Sequence, residues 1–358
     1  MSPKLPRRWS QLALFGTWLL SVSALAAAGQ VGVDRQGNAH IPAFTVPYSS
    51  YASPQARRMF QRVLEQGRHA PPLAGPIAAS RSYYDRINSD RAKRMRRLYP
   101  IKIEDRRIGG VPTQVVTPAR GIAARQRRRV LINLHGGAFL WGAGSGGLVE
   151  SIPIASLGGI EVVSVDYRQG PEHVFPAASE DVAAVYRALL KTYPAENIGI
   201  YGCSAGGVLT GEAVAWIIDR KLPVPGAIGT FCGSVTELGG DSTHIAPPLN
   251  GDPVTAKPLE LADLPYFSQA RADDPLVFPA NSPALLAKFP PTLLITGSRD
   301  FTMSSVIQSQ RLLSAAGVDA ELHVWDGMWH SFFSDPELPE SREAYRVIVR
   351  FFDRKLGR

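Results

Sequence analysis

Cysteine is nearly missing from this chain: Cys203 and Cys232 are the only two among 358 residues. So small a number excludes a disulfide framework, and neither cysteine stands at metal-ligand spacing. One bond between the two is the most an oxidising compartment could add. Long apolar runs are also scarce. A single stretch, residues 12–25, approaches a membrane-spanning length, and it follows Lys4, Arg7 and Arg8 and precedes Ala24, Ala26 and Ala28. A basic start, an apolar centre and an Ala-x-Ala boundary form the pattern of a secretory leader, so residues 1–28 are expected to direct export to the periplasm or beyond and to be removed. An uncleaved amino-terminal anchor is the alternative, and no stable membrane insertion is expected of the cleaved chain. The net charge of +8 comes partly from basic clusters at 91–97 and 127–129. No recognisable nucleic-acid module with stacking aromatics accompanies them, so they read as solvated basic surface, with attraction to an anionic cell surface as the other use.

What is present is enough hydrophobic sequence, 45%, for one full core. Residues 29–100 show helical periodicity over 54–66 and 80–98 and read as a helical cap or arm. From Ile101 the pattern changes. Residues 101–108 and 111–117 alternate as two antiparallel strands joined at Gly109-Gly110. Short apolar runs then occur at 130–134, 160–165, 198–201, 227–231, 292–296 and 320–325, bounded by Gly, Pro and Asp, as suits strands buried on both faces. Helical spacing returns between them at 177–192, 208–218, 306–315 and 344–352. This alternation predicts the α/β class, a mostly parallel sheet with helices on both faces, in a catalytic domain spanning 101–358. Residues 239–288 are rich in Pro, Asp and Gly with little periodicity, and read as a cap-like excursion near a site.

The chemistry-bearing residues fall at the ends of these runs. Gly202-Cys203-Ser204-Ala205-Gly206-Gly207 joins a strand-like run to a helical one, the context a nucleophile elbow requires. Ser204 is the expected nucleophile. His135-Gly136-Gly137-Ala138-Phe139 follows the run at 130–134, where glycines let backbone N–H groups turn toward a developing alkoxide. The expected oxyanion hole comprises Gly136, Gly137, Ala138 and Ala205, with the last three as donors and Gly136 shaping the turn. In folds built around such an elbow the acid and then the base follow the serine in chain order. His244 precedes any plausible acid, and His323 lies inside the run at 320–325. His330, just past that run, is the expected base. Asp300, after the run at 292–296, is the preferred acid, and Asp326 is its rival through nearness in sequence to His330. Phe139, Trp141 and Trp329 flank these positions and suit an apolar pocket or ordinary core equally well.

With these residues in place, the chain resembles the hormone-sensitive-lipase-like branch of the α/β hydrolases from about Ile101 to its end. The likeness also rests on Asp166-Tyr167-Arg168-Gln169-Gly170-Pro171-Glu172-His173, on Phe175-Pro176-Ala177-Ala178 and on Glu180-Asp181. It implies an eight-stranded sheet, a helical cap built from the amino-terminal segment, and esterase activity on small-molecule esters without metal or organic cofactor. The same machinery can open lactones or cleave activated amides, and a non-catalytic ligand-binding relative would keep the fold but lack a triad member. Two positions depart from the family's pattern: Cys203 replaces the usual Asp before the serine, and Ala138 replaces the third glycine of the oxyanion loop.

Overall fold

The computed structural model describes residues 31–252 and 258–357. The expected leader lies outside them, and no helix among the described residues is long and apolar enough to cross a membrane. The chain divides into one unit ending at Pro47 and another running from Tyr48. In the first, the two-residue strands β1 (Gly32–Val33) and β2 (Ala39–His40) pair antiparallel. Asp34 closes their turn, its Oδ1 accepting the amides of Gln36 and Asn38.

The second unit opens with α1 (Pro54–Arg68) and α2 (Ile77–Leu98). Ser53 starts α1 by accepting the Ala56 amide on its side chain, and Pro54 supplies a first-turn residue that needs no N–H partner. The sheet strands follow: β3 (Ile101–Ile108), β4 (Val111–Pro118), β5 (Val130–Leu134), β6 (Glu161–Val165), β7 (Ile198–Cys203), β8 (Ala227–Phe231), β9 (Thr292–Arg299) and β10 (Ala320–Trp329). They form one eight-stranded sheet in the order β10-β9-β8-β7-β5-β6-β4-β3. Only β4 runs against the others. Every residue of β5, β7 and β8 is buried, which is why these strands read as unbroken apolar runs.

Helices α3 (Ser145–Gly158), α4 (Ala177–Leu189), α5 (Ala205–Asp219), α6 (Ser242–Leu249), α7 (Pro283–Leu286), α8 (Met303–Ala315) and α9 (Pro339–Lys355) complete the unit. The α/β class and the eight-stranded sheet expected from the sequence are both present. Helix α3 is the unexpected element. It is apolar nearly all round and carries Gly146, Gly147 and Pro153, so it has no amphipathic stripe to read. Its reason is burial, since it packs against α2 and α9. The stretch 239–288 contains α6, α7 and three single turns of 3-10 helix among its described residues.

The basic clusters are less solvated than their composition suggests. Arg91 and Arg94 both pair with the buried carboxylate of Asp335, at 3.3 and 3.4 Å. Arg129 is buried against the carboxyl-terminal helix, donating to the carbonyls of Leu356 and Gly357 at 3.0 Å each and pairing with Asp353 at 3.3 Å. These arginines serve the fold. Removing one partner of such a buried set leaves the others unpaired and typically costs about 1–3 kcal/mol per orphaned group.

Candidate active site

A parallel sheet delivers the carboxyl ends of its strands to one edge, and β7, β9 and β10 each end there in a residue with chemistry. At the end of β7, Ser204 takes φ 58°, ψ −124°, a conformation costly for a residue with a Cβ, and α5 begins at the next residue. The neighbouring glycines make so sharp a turn feasible. A Cβ on Gly202 would sit 2.2 Å from the Leu134 carbonyl oxygen, and one on Gly206 only 1.8 Å from it. The elbow is thereby pressed against the end of β5.

His330 follows β10 directly. That strand extends beyond its apolar run to Trp329 by way of a register shift after Trp325, which brings Trp329 opposite Arg299. The shift carries His330 to the elbow: its Nε2 lies 2.8 Å from Ser204 Oγ. Its other ring nitrogen, Nδ1, lies 2.7 Å from Asp300 Oδ1. Asp300 is fully buried and also accepts from the Thr302 amide and the Thr296 hydroxyl, both at 2.9 Å. Burial pushes its carboxyl up, but the charge and hydrogen bond of His330, the Thr302 amide and the Cys232 thiol outweigh it and hold the group below the ordinary carboxylate value. Asp300 therefore stays ionised where it is needed. The ring of Phe301, 4.6 Å away, packs on the imidazole.

The rival candidates for acid and base are engaged elsewhere in the molecule. Asp326 accepts from Ser49 and makes no hydrogen bond to His330 among the described residues. His323 binds Glu321 on its own strand at 2.8 Å, and His244 is exposed on α6. His135 is sealed from solvent, its Nδ1 donating to the Gly136 carbonyl at 2.8 Å and its ring stacked 4.3 Å from Tyr167. It braces the turn.

Opposite Ser204, the loop after β5 turns through three successive positive φ values, 126° at Gly137, 52° at Ala138 and 59° at Phe139. Gly137 permits no side chain, because a Cβ would stand 2.0 Å from the Trp141 carbonyl oxygen. Positive φ at two residues with side chains costs about 1–3 kcal/mol each. Phe139 offsets much of this by complete burial, stacked 4.7 Å from Tyr266. The loop thus holds Gly137 and Ala138 along the cavity that contains Ser204 and His330. Gly136, expected to shape the turn, differs from the three expected donors. Its amide is already taken by Glu150 Oε1 at 2.9 Å, so it can shape the turn but cannot donate to an oxyanion. Of the flanking aromatics, Trp141 lines the cavity, stacked 4.4 Å from Tyr84. Trp329 packs instead against Phe60, 5.7 Å away.

The two cysteines lie directly beneath the triad-like group as free, buried thiols. Cys203 Sγ is 2.9 Å from Ser331 Oγ, and Cys232 Sγ accepts the Ser331 amide at 3.4 Å. Burial pushes both thiols up, which keeps them neutral and poorly nucleophilic. Cys232, Asp300 and His330 offer ligand atoms within 4.8 Å of one another, a spacing that would admit a metal ion. The atoms concerned on Asp300 and His330 already bond each other, and Cys232 and Asp300 have no exposure through which an ion could enter. The cluster is better explained as support for the imidazole.

Residues 131–334 match the family described as alpha/beta hydrolase fold. The chain belongs to this family, in its hormone-sensitive-lipase-like branch. It is 30% identical over 260 residues to an acetyl-hydrolase of Streptomyces hygroscopicus, covering 70% of this chain and 85% of that one. It is 28% identical to the esterase LipU of Mycobacterium tuberculosis, over 68% of this chain and 84% of that protein. Among solved structures, esterase E25 superposes with a TM-score of 0.78 at 30% identity, covering 89% of this chain and 99% of its own. An esterase from the bacterial hormone-sensitive lipase family superposes with a TM-score of 0.73 at 28% identity, over 85% and 99%.

The two acidic rivals can be separated in solution. Asp300→Asn is expected to slow modification of Ser204 by an organophosphonate by about 10⁴-fold, because the imidazole loses its orienting carboxylate. Asp326→Asn should leave that rate within about threefold of the wild type, since surface substitutions outside the site have small effects. The reverse order would assign the acid to Asp326.

Proposed function

We infer that this chain is a serine carboxylic ester hydrolase with Ser204 as nucleophile, His330 as general base and Asp300 as the residue that orients it. The observation that carries the reading is the continuous hydrogen-bonded path from Ser204 through His330 to a buried, ionised Asp300. In the first step Ser204 Oγ adds to the ester carbonyl carbon while its proton passes to His330 Nε2. The carbonyl oxygen becomes an oxyanion, received by the amides of Gly137, Ala138 and Ala205. The tetrahedral intermediate collapses, the alcohol leaves with the proton from His330, and water then repeats the sequence on the acyl-enzyme. Each oxyanion donor of this type is worth roughly 3–4 kcal/mol of transition-state stabilisation. The acetyl-hydrolase and esterase relatives support the same class.

Two chambers meet at Ser204, and their shapes bear on the substrate. One, of about 360 Å³, is lined by Tyr84, Asn88, Arg91, Trp141 and His330. The other, of only about 60 Å³, is lined by Phe139, Val208, Leu238, Leu261 and Leu264. A larger hollow of about 590 Å³ beyond Trp141 contains neither Ser204 nor His330, so size alone does not mark the site. The leaving oxygen must sit beside His330 Nε2 to receive its proton. Since His330 lines only the wide chamber, the alcohol portion belongs there and the acyl portion in the narrow apolar one. This arrangement favours acetyl and other short acyl groups on alcohols of varied size. Export remains a proposal resting on the leader pattern at 1–28, with the mature chain beginning at Gly29; amino-terminal sequencing that returned the leader intact would contradict it.

Nitrophenyl esters of rising acyl length, run beside acetates of larger alcohols, lactones and anilides, test the substrate assignment. We expect kcat/KM to fall at least about tenfold from butyrate to octanoate, as a chamber too small for the chain rejects it. Acetates of bulky alcohols should remain substrates. Ser204→Ala should neither turn over ester nor gain an organophosphonate adduct, and a variant that did both would defeat the reading. Cleavage of anilides with every ester ignored would replace it by an amidase.

A further inference from the structure

One half-buried carboxyl group lining the site cavity has no part in the triad. Glu150, on α3, accepts the Gly136 amide on Oε1 at 2.9 Å. Its Oε2 accepts the Cys203 amide at 3.1 Å and the Asn133 side-chain amide at 3.0 Å. Gly136 begins the oxyanion loop, and Cys203 immediately precedes the nucleophile. No other side-chain hydrogen bond joins these two segments among the described residues. Their separation sets how far the Gly137 and Ala138 amides stand from Ser204.

A partly desolvated carboxylate held by three N–H donors, with no ion-pair partner among the described residues, is costly for the fold. Such an expense at the centre of a site points to local use. Building on the ester-hydrolase reading, we propose that Glu150 is a positioning residue, a clamp whose two oxygens hold the oxyanion loop and the nucleophile elbow at their working distance. The donor set favours the ionised form: three donors aim at acceptor oxygens, and a proton on Oε2, which already accepts two of them, would displace one. A glutamine in its place keeps the volume but turns an N–H₂ toward an N–H, releasing one of the two segments.

Burial pushes the Glu150 carboxyl up to about 8, opposed by the hydrogen bonds from Gly136, Asn133 and Cys203. The titratable groups facing it are His135 on the loop, Tyr167 beyond β6, and Tyr201 and Cys203 on β7, the last three pushed up in part by its charge. Arg91 shares the cavity from α2 but pairs with Asp335. The clamp is therefore formed above pH 8 and loosens as pH falls through that value. The sign for stability is opposite. The folded protein retains a proton that the unfolded chain sheds near 4.5, so this group's contribution declines as pH rises from about 4.5 to 8 and is level above.

The test is Glu150→Gln, assayed from pH 6 to 9.5 with thermal midpoints and phenylboronic acid inhibition measured in parallel. The boronate forms a tetrahedral adduct as Ser204 Oγ adds to boron and its proton passes to His330. Expected are a kcat lower by about 10- to 100-fold with KM within about threefold, and a boronate Ki raised by the factor that kcat/KM loses. The wild-type rise in kcat through pH 8 should be missing from the variant, whose thermal midpoint should gain on the wild type between pH 5 and 8. Unchanged kcat, or a loss explained by unfolding with boronate affinity intact, would overturn the proposal. Should the glutamine variant not fold, Asn133→Ser removes the donor that touches neither segment. Loss of that hydrogen bond should move the kcat limb to higher pH, and a limb that stays in place counts against the clamp. Organophosphonate labelling of Ser204 in the wild type separates failure of this proposal from failure of the ester-hydrolase reading, which alone predicts the label.

Discussion

One imidazole must reach two partners at once, and most of the fold's peculiarities follow from that demand. The hydrogen bonds from His330 to Ser204 Oγ and Asp300 Oδ1 span 2.8 and 2.7 Å, and their residues come from the ends of three different strands. Distances of that order tolerate little error, since displacement by about 1 Å at a reacting group can cost about 100-fold in rate. The sheet supplies the tolerance by running β7, β8, β9 and β10 parallel and in fixed register. Local distortions then make the final adjustment: the strained turn at Ser204, the left-handed Ser331 with φ 55°, and the irregularity in β10 after Trp325. Each departs from regular geometry where a functional side chain must be aimed.

The ground beneath that imidazole differs from the family pattern. An aspartate before the serine would add a second negative charge next to Asp300. Cys203 instead presents a neutral thiol to Ser331, while Cys232 reaches the Asp300 carboxylate. A carboxyl contact to the elbow comes from Glu150 on α3, which accepts the Cys203 amide. The amide of the residue before Ser204 is thus held by a carboxyl group from a neighbouring helix and not by that residue's own side chain.

Most of the sheet was legible because buried parallel strands leave unbroken apolar runs, as at 130–134 and 227–231, and because glycine marks the turns. The pairing of Ser204 with His330 could be read from strand-end positions and chain order alone. Three features could not. Helix α3 lacks the amphipathic stripe that betrays a surface helix, since nine of its fourteen residues are buried and its partly exposed positions include Leu148 and Leu157. The extension of β10 through Gly327 to Trp329 depends on a register shift that no period of two announces. Glu150 gave no signal because a single acidic residue in an apolar stretch has no motif; its role appears only where α3 meets two loops in space. The same holds for Arg129, one of three adjacent arginines in sequence yet buried against the last helix. Gly136 shows the limit of the glycine motif as well. The composition permits an inward amide at each of its positions, but only the bonding partners decide which amides are free.

We propose that Ser204, His330 and the loop amides together form one acyl-transfer centre. A crystal structure of the Ser204 organophosphonate adduct tests it most directly, because phosphorus there mimics the tetrahedral carbon. The phosphoryl oxygen is predicted to lie about 2.7–3.1 Å from the amide nitrogens of Gly137, Ala138 and Ala205, with the alkoxy group in the wide chamber beside His330. An oxygen turned away from those amides, or an adduct on any other residue, would contradict it.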